Sequence, residues 1–155
     1  MACRCLLKRI FVEFLPVNKS QNNDCIFDSI DSALGDFKAG LPIVVVDEEN
    51  REIEGDLFCA AQFANPDNIN FMAVEARGLI CLAMTGERLD ELDFPLMVSK
   101  NTDSNQTAFT VSIDASPKLG VSTGISADDR ARTIQVAINP ATTIPRPCAL
   151  VLAAR

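Results

Sequence analysis

Residues 42–61, which read PIVVVDEENREIEGDLFCAA, decide the fold. The β-branched run 43–46 is typical of a strand that is buried on both faces, and residues 57–61 resume as a second buried strand. The polar, strongly acidic residues between them predict a turn. This segment therefore predicts two core strands joined by an acidic loop.

Helical periodicity flanks these strands on both sides. Apolar residues at helical spacing predict a first helix that begins at Asp28 or Ser29 and stops at Gly40. The other predicted helices cover residues 66–78, 85–92 and 127–138, and the other predicted strands cover residues 79–84 and 107–114. The alternation of helices and strands predicts an α/β layout. We expect one domain over residues 27–141. An extension over residues 1–26 precedes it and a tail over residues 142–155 follows it, and neither is assigned to the domain.

Composition excludes several classes of function. The 155 residues carry a net charge of −7, and an acidic body argues against a nucleic-acid partner. No stretch approaches the roughly 20 apolar residues of a membrane span. The chain has no His and no C-x-x-C pair, which argues against structural zinc. Cys59 and Cys81 lie in apolar surroundings and are expected to be buried thiols, and free thiols indicate the cytoplasm.

The acidic loop is the first candidate for chemistry. Carboxylates at this density suit a hard cation such as Mg²⁺, and they can also remove a proton beside a carbonyl or bind sugar hydroxyls. Gly55 would let the backbone pass close to a ligand. The alternative from composition alone is a solvated loop whose charges face water.

Two further segments are candidates. Residues 123–130, TGISADDR, form a glycine-containing turn that enters a helix and could offer N–H groups to an anion, or could simply cap the helix. Residues 77–81, RGLIC, place Cys81 after a helix stop. A catalytic cysteine usually needs a base such as His, and this chain has none.

Taken together, these segments resemble one family. Residues 51–56, REIEGD, are similar to the acidic loop of 3,4-dihydroxy-2-butanone 4-phosphate synthase, whose usual run differs only in having Asn where this chain has Ile53. Further blocks of that family match in order, namely GLIC at 78–81, LMV at 96–98, TAFTV at 107–111 and TGISADDR at 123–130.

The resemblance implies an activity and a set of residues. The resemblance also implies an α/β (α+β) fold with a mixed sheet flanked by helices. Such enzymes convert ribulose 5-phosphate into 3,4-dihydroxy-2-butanone 4-phosphate and formate in riboflavin biosynthesis and use Mg²⁺ (or Mn²⁺). They are homodimers with the active site at the subunit interface. Glu52 would bind the metal and, with Arg51, the substrate. Glu54 and Asp56 would transfer protons and bind sugar hydroxyls. Cys81 would be a catalytic residue, and Thr123 would bind the substrate in its pocket.

The resemblance stops at Arg146–Pro147. The family continues with Gly-His, whereas this chain continues with Cys148 and contains no histidine. We therefore expect a C-terminally truncated chain with little or no activity alone. Two alternatives stay open, namely a non-catalytic subunit that dimerises with a full-length synthase, and a small acidic metal-binding module.

Overall fold

The computed structural model describes residues 28–46, 55–103 and 107–143, and the backbone of residues 6–9. The chain divides into two compact units, Met1–Phe63 and Ala64–Arg155. Each unit is considered by itself below.

The first unit is built on a three-stranded antiparallel sheet in the order β1-β2-β3. β1 is Leu6–Arg9, β2 is Ile43–Val46 and β3 is Gly55–Phe58. The central strand β2 is the β-branched run predicted from the sequence. The N-terminal extension therefore contributes an edge strand, which nothing in its sequence had indicated.

Helix α1, Ile30–Lys38, packs beside this sheet. It begins at Ser29, whose hydroxyl accepts a hydrogen bond from the Ser32 N–H at 3.2 Å, so Ser29 rather than Asp28 is the N-cap. Ala33 is the helix residue that is buried against Ile43 of β2, with Phe37 and Val45 packed around them. This small apolar cluster is the core of the first unit.

Three helices organise the second unit, and each begins where the sequence predicts. α2 is Pro66–Glu75, α3 is Gly86–Glu91 and α4 is Ala127–Ile138. Their N-caps are Asn65, Thr85 and Ser126, and each side chain accepts a hydrogen bond from the N–H three residues later. α4 packs against α2, and its buried residues are Asp129, Ala131, Thr133, Ile134 and Ala137.

Arg88 of α3 binds carbonyl groups at and just beyond the C-terminal end of α4. Its guanidinium donates hydrogen bonds to the carbonyl oxygens of Ala137, Asn139 and Thr142, at 3.1, 2.8 and 3.3 Å from Nη2. The carbonyls of Ala137 and Asn139 lie at the C-terminal end of α4, where carbonyls lack partners within the helix, and Thr142 follows beyond that end. Arg88 thereby joins α3 to α4.

Two of the predicted strands are wrong. Residues 79–84 alternate between exposed and more buried positions, as an extended chain does, but they form no ladder with another described segment. Residues 107–114 form no strand. Ile113 is at an isolated bridge, and Thr110 forms an isolated antiparallel bridge with Leu96. Pro95 precedes that bridge and has no N–H to donate, which limits the pairing to a short stretch. Residues 57–61 were also expected to form a buried strand, but β3 ends at Phe58, which is 46% exposed.

Candidate functional site

The acidic loop is described only at its end. Arg51, Glu52 and Glu54 lie outside the described residues. Asp56 lies on β3 opposite Val45 of β2, and its side chain is exposed. Asp56 is therefore accessible to a ligand, as its predicted role requires.

Gly55 shows why this loop ends in glycine. A Cβ at Gly55 would lie 3.3 Å from the Val44 side chain, which is closer than side chains normally approach. Glycine lets β3 start close against β2 immediately after the loop.

Cys81 is exposed, which contradicts the expectation of a buried thiol. The residue before it, Ile80, is 5% exposed and belongs to the core. In an extended segment successive side chains point to opposite sides, so burial of Ile80 turns Cys81 outward. Cys59 is half-buried. An outward Cys81 agrees with a place at a ligand site, although it carries no specific chemistry by itself.

The turn before α4 is organised by Asp129. Its carboxylate accepts hydrogen bonds from the N–H groups of Ser122, Thr123 and Gly124, at 2.9, 3.2 and 3.0 Å, and from the Ser122 hydroxyl at 2.7 Å. Asp129 is only 5% exposed. The Ser122 N–H and hydroxyl, followed by the N–H groups of Gly124 and Thr123, hold the pKa of this carboxyl below its ordinary value against the opposing effect of burial.

Of the two alternatives for this turn, the arrangement supports the one that caps α4 over the one that offers N–H groups to an anion. The N–H groups of residues 122–124 already point at the Asp129 carboxylate, and the Ser126 hydroxyl accepts from the Asp129 N–H at 3.0 Å. Arg130 donates its Nε–H to the Ile125 carbonyl at 3.0 Å. The Thr123 side chain is exposed, so its hydroxyl is accessible to a ligand.

Asp114 is the residue of this region that the sequence analysis missed. It is half-buried, and a Cβ placed on Gly124 would overlap its carboxylate. Gly124 has a φ of 78°, so glycine is required there for two reasons, the backbone conformation and the lack of space. Sequence reasoning had treated Asp114 only as the end of a strand, and no local pattern marks it.

The environment of Asp114 favours its protonated form. Burial is the main cause that raises its pKa, and the negative charge of Asp129 raises it further, while Arg130 acts in the opposite direction. Asp114 and Asp129 therefore belong to one neighbourhood but have pKa values displaced in opposite directions. A carboxyl that can exchange a proton beside one that stays ionised is a common arrangement in acid–base sites.

Thr133 connects these two segments to α4. Its hydroxyl donates to the Asp129 carbonyl at 2.9 Å and accepts from the Ala115 N–H at 3.1 Å. Thr133 is 1% exposed. The residue after Asp114 is thus attached to α4 one turn beyond Asp129, so a single helix holds both sides of the site.

The described residues do not by themselves form a magnesium site. Within the described ranges, no three His, Cys, Asp or Glu side chains converge as metal ligands would. Asp129 is unsuited to the role because four donors already occupy its oxygens. The metal ligand implied by the resemblance, Glu52, lies outside the described residues.

The match to a family model decides the family. The model for 3,4-dihydroxy-2-butanone 4-phosphate synthase matches residues 31–151, which include Arg51, Glu52, Glu54, Asp56, Cys81 and Thr123. The chain belongs to this family. The resemblance inferred from the ordered sequence blocks is thereby confirmed.

Individual relatives agree with the family. The chain is 80% identical over 117 residues to the riboflavin biosynthesis protein RibBA of Synechocystis sp., covering 76% of this chain and 21% of the relative. It is 52% identical over 110 residues to the 3,4-dihydroxy-2-butanone 4-phosphate synthase of Agrobacterium fabrum, covering 71% of this chain and 51% of the relative. The chain therefore spans between about a fifth and a half of the length of these relatives.

A solved structure confirms the α/β fold. The crystal structure of a 3,4-dihydroxy-2-butanone 4-phosphate synthase in complex with two magnesium ions matches with a TM-score of 0.67 and 39% identity. The match covers 76% of this chain and 54% of that protein. No helix in the described parts of the chain is long and apolar enough to cross a membrane.

Proposed function

We propose that this chain supplies the acidic-loop part of an active site that converts D-ribulose 5-phosphate into 3,4-dihydroxy-2-butanone 4-phosphate and formate. The observation that carries the proposal is the family match over residues 31–151, which spans every candidate residue. Divalent-metal dependence, with Mg²⁺ or Mn²⁺, is part of the proposal. It is supported by the related synthase whose structure contains two magnesium ions. A cytosolic location stays a prediction.

The chemistry begins with removal of a proton next to the sugar's carbonyl, which needs a base and stabilisation of the oxygen that becomes negative. A bound divalent cation supplies positive charge for that oxygen, and Glu52 is the residue that we propose holds it. Arg51 would bind the substrate beside it. Glu54 and the exposed Asp56 would move protons and bind sugar hydroxyls.

Thr123 and Cys81 keep the substrate-pocket and catalytic roles that the resemblance implies. Thr123 presents an exposed side chain whose hydroxyl can hydrogen-bond to substrate oxygens, and Cys81 is exposed as well. Asp114 joins the proposal because its carboxylate lies against Gly124, next to Thr123 in the turn, and burial raises the pKa of this carboxyl above its ordinary value.

The direct test is formate release from ribulose 5-phosphate with Mg²⁺, measured on the purified 155-residue chain. We expect little or no turnover from the chain alone, since it contains no histidine and spans part of its relatives. Robust turnover that is lost in Glu52→Gln would establish the enzyme in its own right. Absence of both turnover and ribulose 5-phosphate binding would contradict the proposal.

The second candidate is a subunit that pairs with a longer synthase and lends it the acidic loop. Its support is the coverage of 51% of the Agrobacterium fabrum relative with all proposed loop residues inside the match. The test mixes this chain with a full-length synthase disabled in its own acidic loop. Recovered formate release, absent when Glu52→Gln is used in the mixture, would support pairing, and the lack of recovery would exclude it.

A further inference from the structure

Asp129 is built to hold a turn rather than to react. It is 5% exposed, and its carboxylate accepts four hydrogen bonds, one at Oδ1 and three at Oδ2, so most of its acceptor capacity is already used within the turn. Hydrogen bonds to an ionised acceptor are about twice as strong as neutral ones. The turn is therefore fixed far more firmly than capping of α4 requires, because Ser126 already performs the capping.

The three residues whose N–H groups bind the Asp129 carboxylate are consecutive, so the backbone that carries the Thr123 side chain is fixed. The N–H groups of Ser122, Thr123 and Gly124 all point to one carboxylate, which fixes the backbone on both sides of Thr123. The Thr123 side chain is exposed. Gly124, with its φ of 78°, passes against the Asp114 carboxylate.

We infer that Asp129 is a positioning residue of the proposed sugar-phosphate site, because it sets the place of the Thr123 hydroxyl relative to the Asp114 carboxyl. Thr133 supports the same arrangement from the other side by binding the Ala115 N–H at 3.1 Å. Asp129 touches neither substrate nor metal in this role. The inference rests on the proposed function, and it assigns the buried aspartate to substrate binding through another residue.

The test compares two neighbouring aspartates on α4. Asp129→Asn keeps the shape but replaces an acceptor oxygen with an amide that cannot accept from the turn. Asp128→Asn removes the same charge from the same helical turn, but Asp128 is exposed. Ser122→Ala removes only the hydroxyl donor and keeps the result interpretable if Asp129→Asn does not fold.

Two quantities are measured by NMR on the full 155-residue chain. The first is the hydrogen-exchange rate of the amides of residues 122–124, and the second is the dissociation constant for ribulose 5-phosphate with Mg²⁺, followed at the Thr123 methyl group. In Asp129→Asn we expect the exchange rate and the dissociation constant each to rise about 10-fold or more, because the turn loses hydrogen bonds to a charged acceptor. In Ser122→Ala both should rise a few-fold, and in Asp128→Asn both should stay within about 2-fold of the unmodified chain.

Three other results would contradict the inference, and the last of them would also contradict the proposed function. If exchange accelerates in Asp129→Asn while the dissociation constant is unchanged, Asp129 has only a structural role and the inference fails. If ribulose 5-phosphate shifts other signals but leaves those of Thr123 unmoved, the inference fails while the proposed function stands. If ribulose 5-phosphate shifts no signal in the unmodified chain, the proposed function fails and the inference with it.

Discussion

The turn at residues 122–124 and the segment that ends at Asp114 lie against each other in the second unit, yet they treat a carboxyl group in opposite ways. The turn surrounds Asp129 with four donors, which lowers its pKa, chiefly through Ser122. The segment leaves Asp114 half-buried beside another negative charge, and burial is the main cause that raises its pKa. The same side chain thus has its ionised form favoured in one place and its protonated form favoured in the other.

The difference shows how an acid–base site can be supported. A carboxylate that is saturated with hydrogen bonds contributes to stability, whereas one that lacks them is held at a cost and can react. Asp129 also raises the pKa of Asp114 through its charge. Asp129 therefore acts on Asp114 in two ways. It fixes the backbone of the turn that lies against Asp114, and its negative charge raises the pKa of the Asp114 carboxyl.

The largest expected effect comes from Asp129→Asn. We expect the melting temperature at pH 7 to fall on the order of 10 °C, because three N–H groups and one hydroxyl lose their common acceptor. Asp129 has a lowered pKa, so its contribution is present above the ordinary aspartate value of 3.8 and is lost as the pH falls through the lowered pKa. Thermal unfolding at pH 7 and at progressively lower pH checks this. An equal loss in Asp128→Asn would mean that charge, not the hydrogen bonds, is responsible.

A smaller effect is expected for Gly124→Ala, with Gly120→Ala as its matched control. Both glycines have a positive φ, 78° and 89°, but nothing lies within 4 Å of a Cβ at Gly120. We expect a loss of about 1 kcal/mol for Gly120→Ala from backbone strain alone, and about 2–3 kcal/mol for Gly124→Ala because the methyl group also displaces Asp114. Urea denaturation measures both. Equal losses would contradict the close approach of Asp114 to the turn.

Thr133→Val tests the connection between the two segments. The substitution is nearly isosteric but leaves the Ala115 N–H without its acceptor, which is expected to cost about 1–2 kcal/mol. Thr133→Ser keeps the hydroxyl. Hydrogen exchange at Ala115 should accelerate in the valine variant and stay slow in the serine variant, whereas acceleration in both would show that packing, not the hydroxyl, protects this amide.

The smallest effect, and the one of opposite sign, is expected for Asp114→Asn. A raised pKa means that the folded state favours the protonated form, so the ionised group opposes folding above its pKa, and this cost disappears below the ordinary value of 3.8. The neutral amide should raise the melting temperature at pH 7 by no more than about 2 °C, since the group is partly solvated, and leave it unchanged at pH 3. A fall in the melting temperature at pH 7 would contradict the prediction that ionised Asp114, unlike ionised Asp129, opposes folding.

Local sequence predicted the helices of the described region well. The caps at Ser29, Asn65, Thr85 and Ser126 need only side-chain and backbone groups within three residues, so the information is present in the sequence itself. Strands need partners from elsewhere. Residues 79–84 have the apolar composition and the alternating burial of a strand, but composition does not reveal whether a neighbouring segment pairs with them.

The roles assigned to the site residues stay predictions. The resemblance identified Asp56, Cys81 and Thr123, and the structure shows all three exposed. The sequence left two alternatives for the turn before α4, and the structure supports the capping turn, because an aspartate within the motif accepts the N–H groups. Asp114 had no local signal, since its significance depends on contact with Gly124, ten residues away.

The sequence by itself determined the family, the positions at which the helices begin and the central strand β2, because these depend on ordered motifs and short-range periodicity. Only the tertiary structure decided that Asp129 holds the turn, that Thr133 connects it to Ala115, and that Asp114 carries the raised pKa. Burial and hydrogen-bond donors set the pKa of a carboxyl group, and both are supplied by residues that are distant along the chain and meet only after folding.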